Sequence, residues 1–213
     1  GLFPTAGQSQ SFAFQVAVPG SSLTYSKLTY RHKYFRPIFD GRFVLGFRGE
    51  LGVLEAYGDT EVAPFFEHYY SGGISSVRGF KQNTLGPRAI PSQFYLDNEG
   101  NPIIGEDGNP VANPYSYYRD DRSIGGAYLV EGGFDFIFKL PFIEDQRSMR
   151  SSFFVDIGNV FSKDCGFDQS NVNCSELDLG ELRYSYGVGV TWMTQLGPMS
   201  LAIAAPSNEG PLD

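Results

Sequence analysis

The chain has 213 residues, of which 41% are hydrophobic and 15% aromatic, with 19 Phe, 13 Tyr and 26 Gly. The formal net charge of −8 argues against a surface that binds nucleic-acid phosphates, and no run of 18 apolar residues predicts a transmembrane helix. Abundant Gly and aromatic residues, without a long apolar repeat of 3.6 residues, indicate an all-β protein.

Alternation of apolar and polar residues with a period of two predicts about seven β-strands. The alternating segments of the first half are residues 11–18, 27–34 and 42–53. Those of the second half are residues 128–140, 152–161, 182–192 and 199–204. Each segment has one apolar face, and the opposite faces carry Gly together with charged residues. The apolar row of the fifth segment contains Phe153, Val155, Ile157 and Phe161.

The length of these segments favours strands that cross a membrane. About 10 residues, at a rise of ~3.3 Å each and a tilt of ~45°, span the hydrocarbon core of a bilayer. Aromatic residues such as Tyr34, Phe35 and Trp192 lie near segment ends, where membrane barrels carry interfacial girdles. We therefore predict an antiparallel transmembrane β-barrel whose apolar rows face lipid and whose charged rows face a wet lumen. The alternative is a soluble β-sandwich or lipocalin-like barrel, which buries its apolar rows.

The links between the predicted strands differ greatly in length. Residues 37–41 and 195–198 are short and 141–149 are moderate, whereas 57–125 and 162–180 form long loops. Outer-membrane barrels have long extracellular loops and short periplasmic turns, so we predict those locations here. Bacterial barrels close with an even number of strands, eight or more, and seven strands fall short of that. We therefore expect a partial barrel, a fragment that lacks strands on both sides.

The only two cysteines, Cys165 and Cys174, both lie in the second long loop, residues 162–180. In a cytosolic protein two such thiols are more often free or metal-binding, whereas extracytoplasmic features favour a local disulfide. We predict that they form a disulfide that staples this loop and leaves the fold largely unchanged.

The first long loop contains a distinctive succession of motifs. It includes PFFEHYYSGG at residues 64–73, the motif Val77-Arg78-Gly79-Phe80 (VRGF), and NTLGPR at residues 83–88. Further blocks are LFPT at residues 2–5, FFVDIGNV at 153–160, WM at 192–193 and LGP at 196–198. In this order the blocks resemble the BamA-type outer-membrane protein assembly factors. The resemblance covers most of the chain and is weakest in residues 92–123 and in the cysteine loop.

The resemblance implies that residues 1–213 are the C-terminal portion of the family's β-barrel, with the VRGF loop tucked back into the barrel. It also implies that Arg78 meets acidic and aromatic side chains of the inner wall, at Asp156, Phe154 and Asp135. Alternation alone assigns these three residues to the lumen side. A guanidinium suits this position because it binds a carboxylate bidentately and stacks on an aromatic ring. Family members often carry Glu where this chain has Asp135, which leaves the reach of that contact open.

The function that the resemblance implies is the insertion and folding of other β-barrels in the Gram-negative outer membrane, which is not enzymatic. The implied partners are unfolded outer-membrane β-barrel clients, outer-membrane lipid and the accessory lipoproteins of the assembly complex. Client strands would pair with the seam of the barrel by β-augmentation. The alternatives are a TamA-like or two-partner-secretion transporter, a passive porin or ligand-binding barrel, and a soluble β-binding module.

Residues 97–110 (DNEGNPIIGEDGNP) resemble a calcium-binding loop only superficially. Pro102 stands where an EF-hand needs glycine, so we predict hairpin tips here. His32 and His68 have no partners at metal-ligand spacing, and the sequence has no Ser-His-Asp set, CxxC motif or phosphate loop. We therefore predict no catalytic site, no metal, no cofactor and no nucleic-acid partner.

Overall fold

The computed structural model describes residues 3–18, 20–60, 62–89, 93–97, 101–113, 122–140, 148–163, 171–172 and 176–209. Ten strands follow one another along the described chain: β1 (Gly7–Val16), β2 (Tyr25–Ile38), β3 (Phe43–Ala56), β4 (Arg88–Ala89), β5 (Arg122–Ser123), β6 (Tyr128–Phe138), β7 (Met149–Phe161), β8 (Asn171–Val172), β9 (Arg183–Thr194) and β10 (Gly197–Ser207). The described residues also include short 3₁₀ helices at Phe65–Glu67 and Leu179–Glu181.

Seven long strands form a single antiparallel sheet in the order β1-β2-β3-β6-β7-β9-β10. The three two-residue strands make a separate small sheet in the order β5-β4-β8. The prediction of an all-β protein with seven alternating strands is confirmed. Strand β1 begins at Gly7 rather than at residue 11, because polar residues 8–10 pair with β2 although they lack the apolar alternation.

Aromatic pairs connect neighbouring strands across the outer face of the large sheet. Phe12 lies opposite Tyr30 with ring centroids 4.5 Å apart, and Phe47 lies opposite Phe134 at 5.0 Å. Such cross-strand pairs stabilise a sheet and help to define its register. Some of the many aromatic residues of the chain therefore stabilise the pairing of neighbouring strands.

The apolar rows of the strands are exposed in the described structure. The exposed large side chains at alternating positions include Phe12, Phe14, Leu28, Phe47, Leu51, Val53, Phe153, Val155, Ile157, Tyr184, Tyr186, Val188, Leu201 and Ile203. Ile203, for example, is 72% exposed. An apolar surface of this extent is what a lipid-facing wall requires, and a β-sandwich would bury it.

Phe161 departs from the predicted apolar row, because it is fully buried rather than exposed. The end of β7 is covered by loop segments: the backbone of Gly126 packs directly against Phe161. Nearby, the Asn159 side chain donates a hydrogen bond of 2.7 Å to the Glu181 carbonyl. Alternation predicts which face a residue occupies, but loops that fold over a strand end decide whether that face is exposed.

The two longest links between neighbouring strands lie at the same end of the sheet. Because consecutive strands are antiparallel, residues 17–24, 57–127 and 162–182 lie at one end, and residues 39–42, 139–148 and 195–196 lie at the other. The long loop runs over 57–127, two residues beyond its predicted end, since β6 begins at Tyr128. Extracellular and periplasmic assignments for the two ends stay predictions.

The long loop packs onto the inner wall of the sheet through a small apolar core. This core contains Leu54, Tyr69, Ala127, Leu129 and Val160. Gly52 of β3 makes room for it, because a Cβ at Gly52 would lie 2.5 Å from Cζ of Tyr69. Inward-facing positions of the wall are therefore filled by the loop at this end of the sheet.

Farther along the loop, short bridges join Phe94 to Ala112 and Ile104 to Pro110, so the predicted hairpin is present. Its tip at Asp107 is stabilised by a hydrogen bond of 3.1 Å from the Asn109 amide to Oδ1 of Asp107. The first predicted tip, at residues 98–100, lies outside the described residues. Cys165 and Cys174 also lie outside them, so the disulfide stays a prediction.

Among the described residues, we find no helix of sufficient length and apolar character to cross a membrane.

Candidate functional site

The VRGF motif follows a tight turn that rests on the inner wall of the sheet. The Ser76 amide donates to the Gly73 carbonyl at 3.1 Å, and the Gly73 amide donates to the Val77 carbonyl at 3.1 Å. Gly72 and Gly73 have φ values of 103° and 106°, in a region that side chains other than glycine rarely adopt. The two glycines thus allow the chain to reverse direction immediately before the motif.

Arg78 and Asp156 form the central contact of the site. Nε of Arg78 donates to Oδ2 of Asp156 at 2.6 Å, and Nη2 donates to Oδ1 at 2.8 Å. The Arg78 backbone amide adds a third bond to Oδ2, at 3.1 Å. The Asp156 side chain is completely buried, so this bidentate pair is shielded from water.

Asp135 and Phe154 complete the contacts predicted for Arg78. Nη1 of Arg78 donates to Oδ1 of Asp135 at 3.0 Å. The side chain of Asp135, although shorter than the Glu of many family members, is therefore long enough to contact the guanidinium directly. Oδ1 of Asp135 also accepts a bond of 3.1 Å from the Ser152 hydroxyl. The guanidinium carbon lies 3.6 Å from the ring centroid of Phe154, in a stacked cation–π geometry.

The guanidinium of Arg78 stays charged in this position. Burial by itself lowers the pKa of Arg78, but hydrogen bonds to Asp156 and the negative charges of Asp135 and Asp156 outweigh it and raise the pKa. Two carboxylates therefore compensate the cost of removing one cation from water.

Comparison with known proteins shows the family to which the sequence belongs. The sequence profile of the Omp85 superfamily domain matches residues 1–212. The chain belongs to the Omp85 superfamily. It is also similar to a protein named outer membrane protein assembly factor BamA, from Neisseria meningitidis serogroup B (strain ATCC BAA-335 / MC58), with 32% identity over 227 residues. The aligned part covers 100% of this Omp85 chain and 25% of that relative.

The Omp85 fold is supported independently by a solved structure. The crystal structure of BamA from Haemophilus ducreyi lacking POTRA domains 1–3 matches with a TM-score of 0.74 and 27% identity. The match covers 99% of this chain and 37% of that one, so the chain spans well under half of either relative. The prediction of a partial β-barrel is thus confirmed, and Omp85 membership supports a location in the outer membrane of a Gram-negative bacterium.

The other residues of the Omp85 chain's VRGF motif pack against the same wall. Val77 is fully buried, and a Cβ at Gly158 would approach its Cγ2 to 2.9 Å. Phe80 is buried in a cluster with Val77 and Leu85. Gly79 has a φ of 97°, and a Cβ at this position would lie 3.0 Å from Cβ of Ala204 in β10. The motif is therefore shaped to approach the wall closely.

Three wall residues that the sequence did not single out also hold the motif. Nη2 of Arg48 donates to the Ser76 carbonyl at 2.6 Å and lies 2.6 Å from Oδ1 of Asp156. Glu131 accepts a hydrogen bond from the Ser76 hydroxyl, and the Ser185 hydroxyl donates to the Arg78 carbonyl. Alternation places all three residues on the inner face, but no spacing in the sequence links them to the loop.

The inner wall also places two glutamates directly opposite each other, Glu50 in β3 and Glu131 in β6. Like charges at paired positions destabilise a sheet unless each finds another partner. Here Glu50 lies 2.8 Å from Nη2 of Arg31, whereas Glu131 accepts from Ser76 in the loop. A hydroxyl group of the loop thus stabilises one of the two paired glutamates of the wall.

The arrangement of the site is suited to holding a segment of chain in place. Its charged groups are engaged with each other, and in the part of the chain that the structure describes no group of His, Cys, Asp or Glu side chains is arranged to hold a metal ion. The contacts join the loop to β3, β6, β7 and β9. We refer to this set of contacts, centred on Arg78 and Asp156, as the tip anchor.

Proposed function

We propose that this chain is part of the barrel of an Omp85 protein that folds and inserts other β-barrel proteins into the Gram-negative outer membrane. Its similarity over the whole chain to proteins named BamA supports this role. The observation that carries the proposal is the bidentate contact between Arg78 and Asp156, which keeps a motif of the long loop inside the barrel wall. The role is one of assembly and not of catalysis.

Within that role, the tip anchor acts as a loop lock. A loop of this length would lose its position inside the lumen without fixed contacts, because ordering many residues is costly in conformational entropy. The buried carboxylate of Asp156 and the stacked ring of Phe154 supply contacts of high directionality. We propose that the lock keeps the wall of β6, β7 and β9 in the shape that clients encounter.

The proposed partners are unfolded outer-membrane β-barrel clients, outer-membrane lipid and the accessory lipoproteins of an assembly complex. The exposed apolar rows of the sheet face the lipid. The long loop, residues 57–127, lies on the extracellular side and the short links on the periplasmic side. Clients add their strands by β-augmentation at a seam of the barrel.

The test compares Arg78→Ala with Lys163→Ala in the full-length protein, reconstituted in vesicles with its accessory lipoproteins. Lys163 is the control, since it is a cation whose side chain is 63% exposed and pairs with Glu55, outside the tip anchor. We expect Arg78→Ala to slow client insertion at least several-fold and Lys163→Ala to leave it near the wild-type rate. Insertion at the wild-type rate by Arg78→Ala would refute the loop lock.

A further inference from the structure

A second group of contacts holds the beginning of the long loop, at residues 64–71, which we call the root. Glu67, in the 3₁₀ helix Phe65–Glu67, reaches two strands at the opposite side of the sheet from Asp156. Its Oε1 accepts bonds from the Tyr25 hydroxyl at 3.0 Å and from the Gln15 side chain at 3.3 Å. Nζ of Lys27 lies 3.3 Å from its Oε2.

Lys27 joins Glu67 to the rest of the root. The ammonium group also donates to the Glu67 carbonyl at 2.6 Å and lies 4.7 Å from the ring centroid of Tyr69. The Tyr69 hydroxyl in turn donates to the Leu28 carbonyl at 2.9 Å and lies 2.8 Å from the Thr29 hydroxyl. The root is thus bound to β1 and β2 by polar contacts and to β3 by the ring of Tyr69 over Gly52.

The charge of Glu67 is used in these contacts. Burial raises the pKa of its carboxyl, but hydrogen bonds from Tyr25 and Lys27 outweigh burial and lower the pKa. Both Glu67 and Lys27 have side chains that are only 21% exposed, so solvent screens the pair less than it screens an ordinary surface salt bridge.

The wall partners of Glu67 and of Arg78 are different residues on different strands. Glu67 contacts Gln15, Tyr25 and Lys27 in β1 and β2, whereas Arg78 contacts Asp135, Phe154 and Asp156 in β6 and β7. Among the described residues the two segments meet through the loop itself, where the Ser71 hydroxyl lies 3.3 Å from the Ser76 hydroxyl. Gly72 and Gly73, both with positive φ, lie between the two along the loop. A pair of glycines between two fixed segments is a place at which one segment can move while the other stays bound.

We propose that Glu67 is a positioning residue that anchors the root independently of the tip, so that the loop stays seated on β1 and β2 when Arg78 leaves Asp156. The loop is then held at two separable points. In the context of the proposed function, on which this consequence rests, the tip can be released from the wall during assembly and return to the same place.

Two backbone amides report on the two points separately. The Tyr69 amide donates to the Gly126 carbonyl at 2.9 Å in the root, and the Arg78 amide donates to Asp156 at 3.1 Å in the tip. Hydrogen exchange of these amides, followed by mass spectrometry on the full-length protein in lipid vesicles, measures the opening of each segment.

The test uses Glu67→Gln, Lys27→Met, the double variant, and Glu106→Gln as a control in an exposed turn of the same loop. We expect Glu67→Gln to speed Tyr69 exchange by about tenfold while Arg78 exchange changes less than about twofold. Arg78→Ala should speed exchange throughout the tip and leave Tyr69 unchanged. The double variant should speed exchange by less than the product of the two single effects, since the variants share the Lys27–Glu67 ion pair and each also removes contacts of its own.

Equal acceleration of both amides by Glu67→Gln would show a single anchor and overturn the proposal, as would a Tyr69 amide that exchanges at the wild-type rate. Additive effects of Glu67→Gln and Lys27→Met would also overturn it, because the pair would then not act together. The anchor is judged on exchange alone. Client insertion measured on the same samples tests the proposed function separately.

Discussion

Arg48 and Arg78 form ion pairs with the same carboxylate, that of Asp156. Nη2 of Arg48 lies 2.6 Å from Oδ1, and Nη2 of Arg78 lies 2.8 Å from the same atom. Asp156 is the only acidic residue among the described ones whose side chain is completely buried. This buried anion therefore contacts two cations, one from the wall and one from the loop, and its loss affects both.

The first prediction concerns the relative weight of the two carboxylates. Asp156→Asn leaves two guanidinium groups without their shared partner, which should destabilise the folded barrel and loop by about 3–5 kcal/mol. Asp135→Asn removes one bond from a side chain that is 20% exposed and should cost about 1 kcal/mol. Urea unfolding in lipid vesicles measures both. Equal losses for the two variants would contradict the central place of Asp156.

The second prediction concerns Arg48, which alternation alone does not connect with the motif. Arg48→Met removes the bonds to the Ser75 and Ser76 carbonyls and one partner of Asp156. We expect exchange across residues 75–78 to be at least about tenfold faster, because even one charged hydrogen bond contributes about 1.5–3 kcal/mol. Lys163→Met serves as the control, since Lys163 pairs with Glu55 outside the tip anchor. The same exchange rate in both variants would show that Arg48 does not hold the turn.

The third prediction separates backbone strain from contact with the wall. Gly79→Ala places a methyl group at a φ of 97° and 3.0 Å from Cβ of Ala204, so the tip should be displaced and client insertion slowed. Gly108→Ala has a comparable φ of 77° with nothing within 4 Å. In both variants the positive φ of the alanine lowers the stability of the fold by about 1–2 kcal/mol. Exchange at the Arg78 amide should rise in Gly79→Ala alone, and an equal rise in both would refute the close approach.

The fourth prediction tests which face of the sheet meets lipid. Leu201 is 63% exposed on the apolar face of β10, and Leu201→Arg should destabilise the inserted barrel by about 2–4 kcal/mol. Ser200, the preceding residue, points to the opposite face, where its hydroxyl lies 2.9 Å from the Thr191 hydroxyl. Ser200→Arg should cost much less. Folding into vesicles of defined lipid gives the comparison, and a larger loss from Ser200→Arg would reverse the assignment of the faces.

The strands and their faces were predictable because the pattern that encodes them is local. Phe153, Val155 and Ile157 lie on one face and Phe154 and Asp156 on the other, as period-two alternation predicts. Local alternation missed two features. It did not predict residues 7–10 of β1, which pair with β2 but lack apolar alternation. It also assigned Phe161 to the exposed row, whereas Phe161 is buried at the end of β7, where Gly126 of the long loop packs against its backbone.

The site was predictable in part, and the part that was missed has a common cause. The family resemblance predicted the partners of Arg78, and period-two alternation assigned the same residues to the lumen face of the sheet. Neither the resemblance nor the alternation predicted the contacts of four other residues. These contacts depend on where the folded loop lies against the sheet, and the residues are Arg48, Glu131, Ser185 and Glu67. The Ser185 hydroxyl and the Arg78 carbonyl, for example, are 107 residues apart in sequence.

The order of residues along the chain settles the seven strands, the direction in which each side chain points and the position of the VRGF motif. It does so because successive side chains of a strand point to opposite faces, whatever the strand pairs with. Which charged groups meet is a property of the folded molecule. Strand register and the path of the long loop bring Arg78, Arg48 and Asp156 within hydrogen-bond distance. Hydrogen bonding requires such distances, and Coulomb attraction is strongest there.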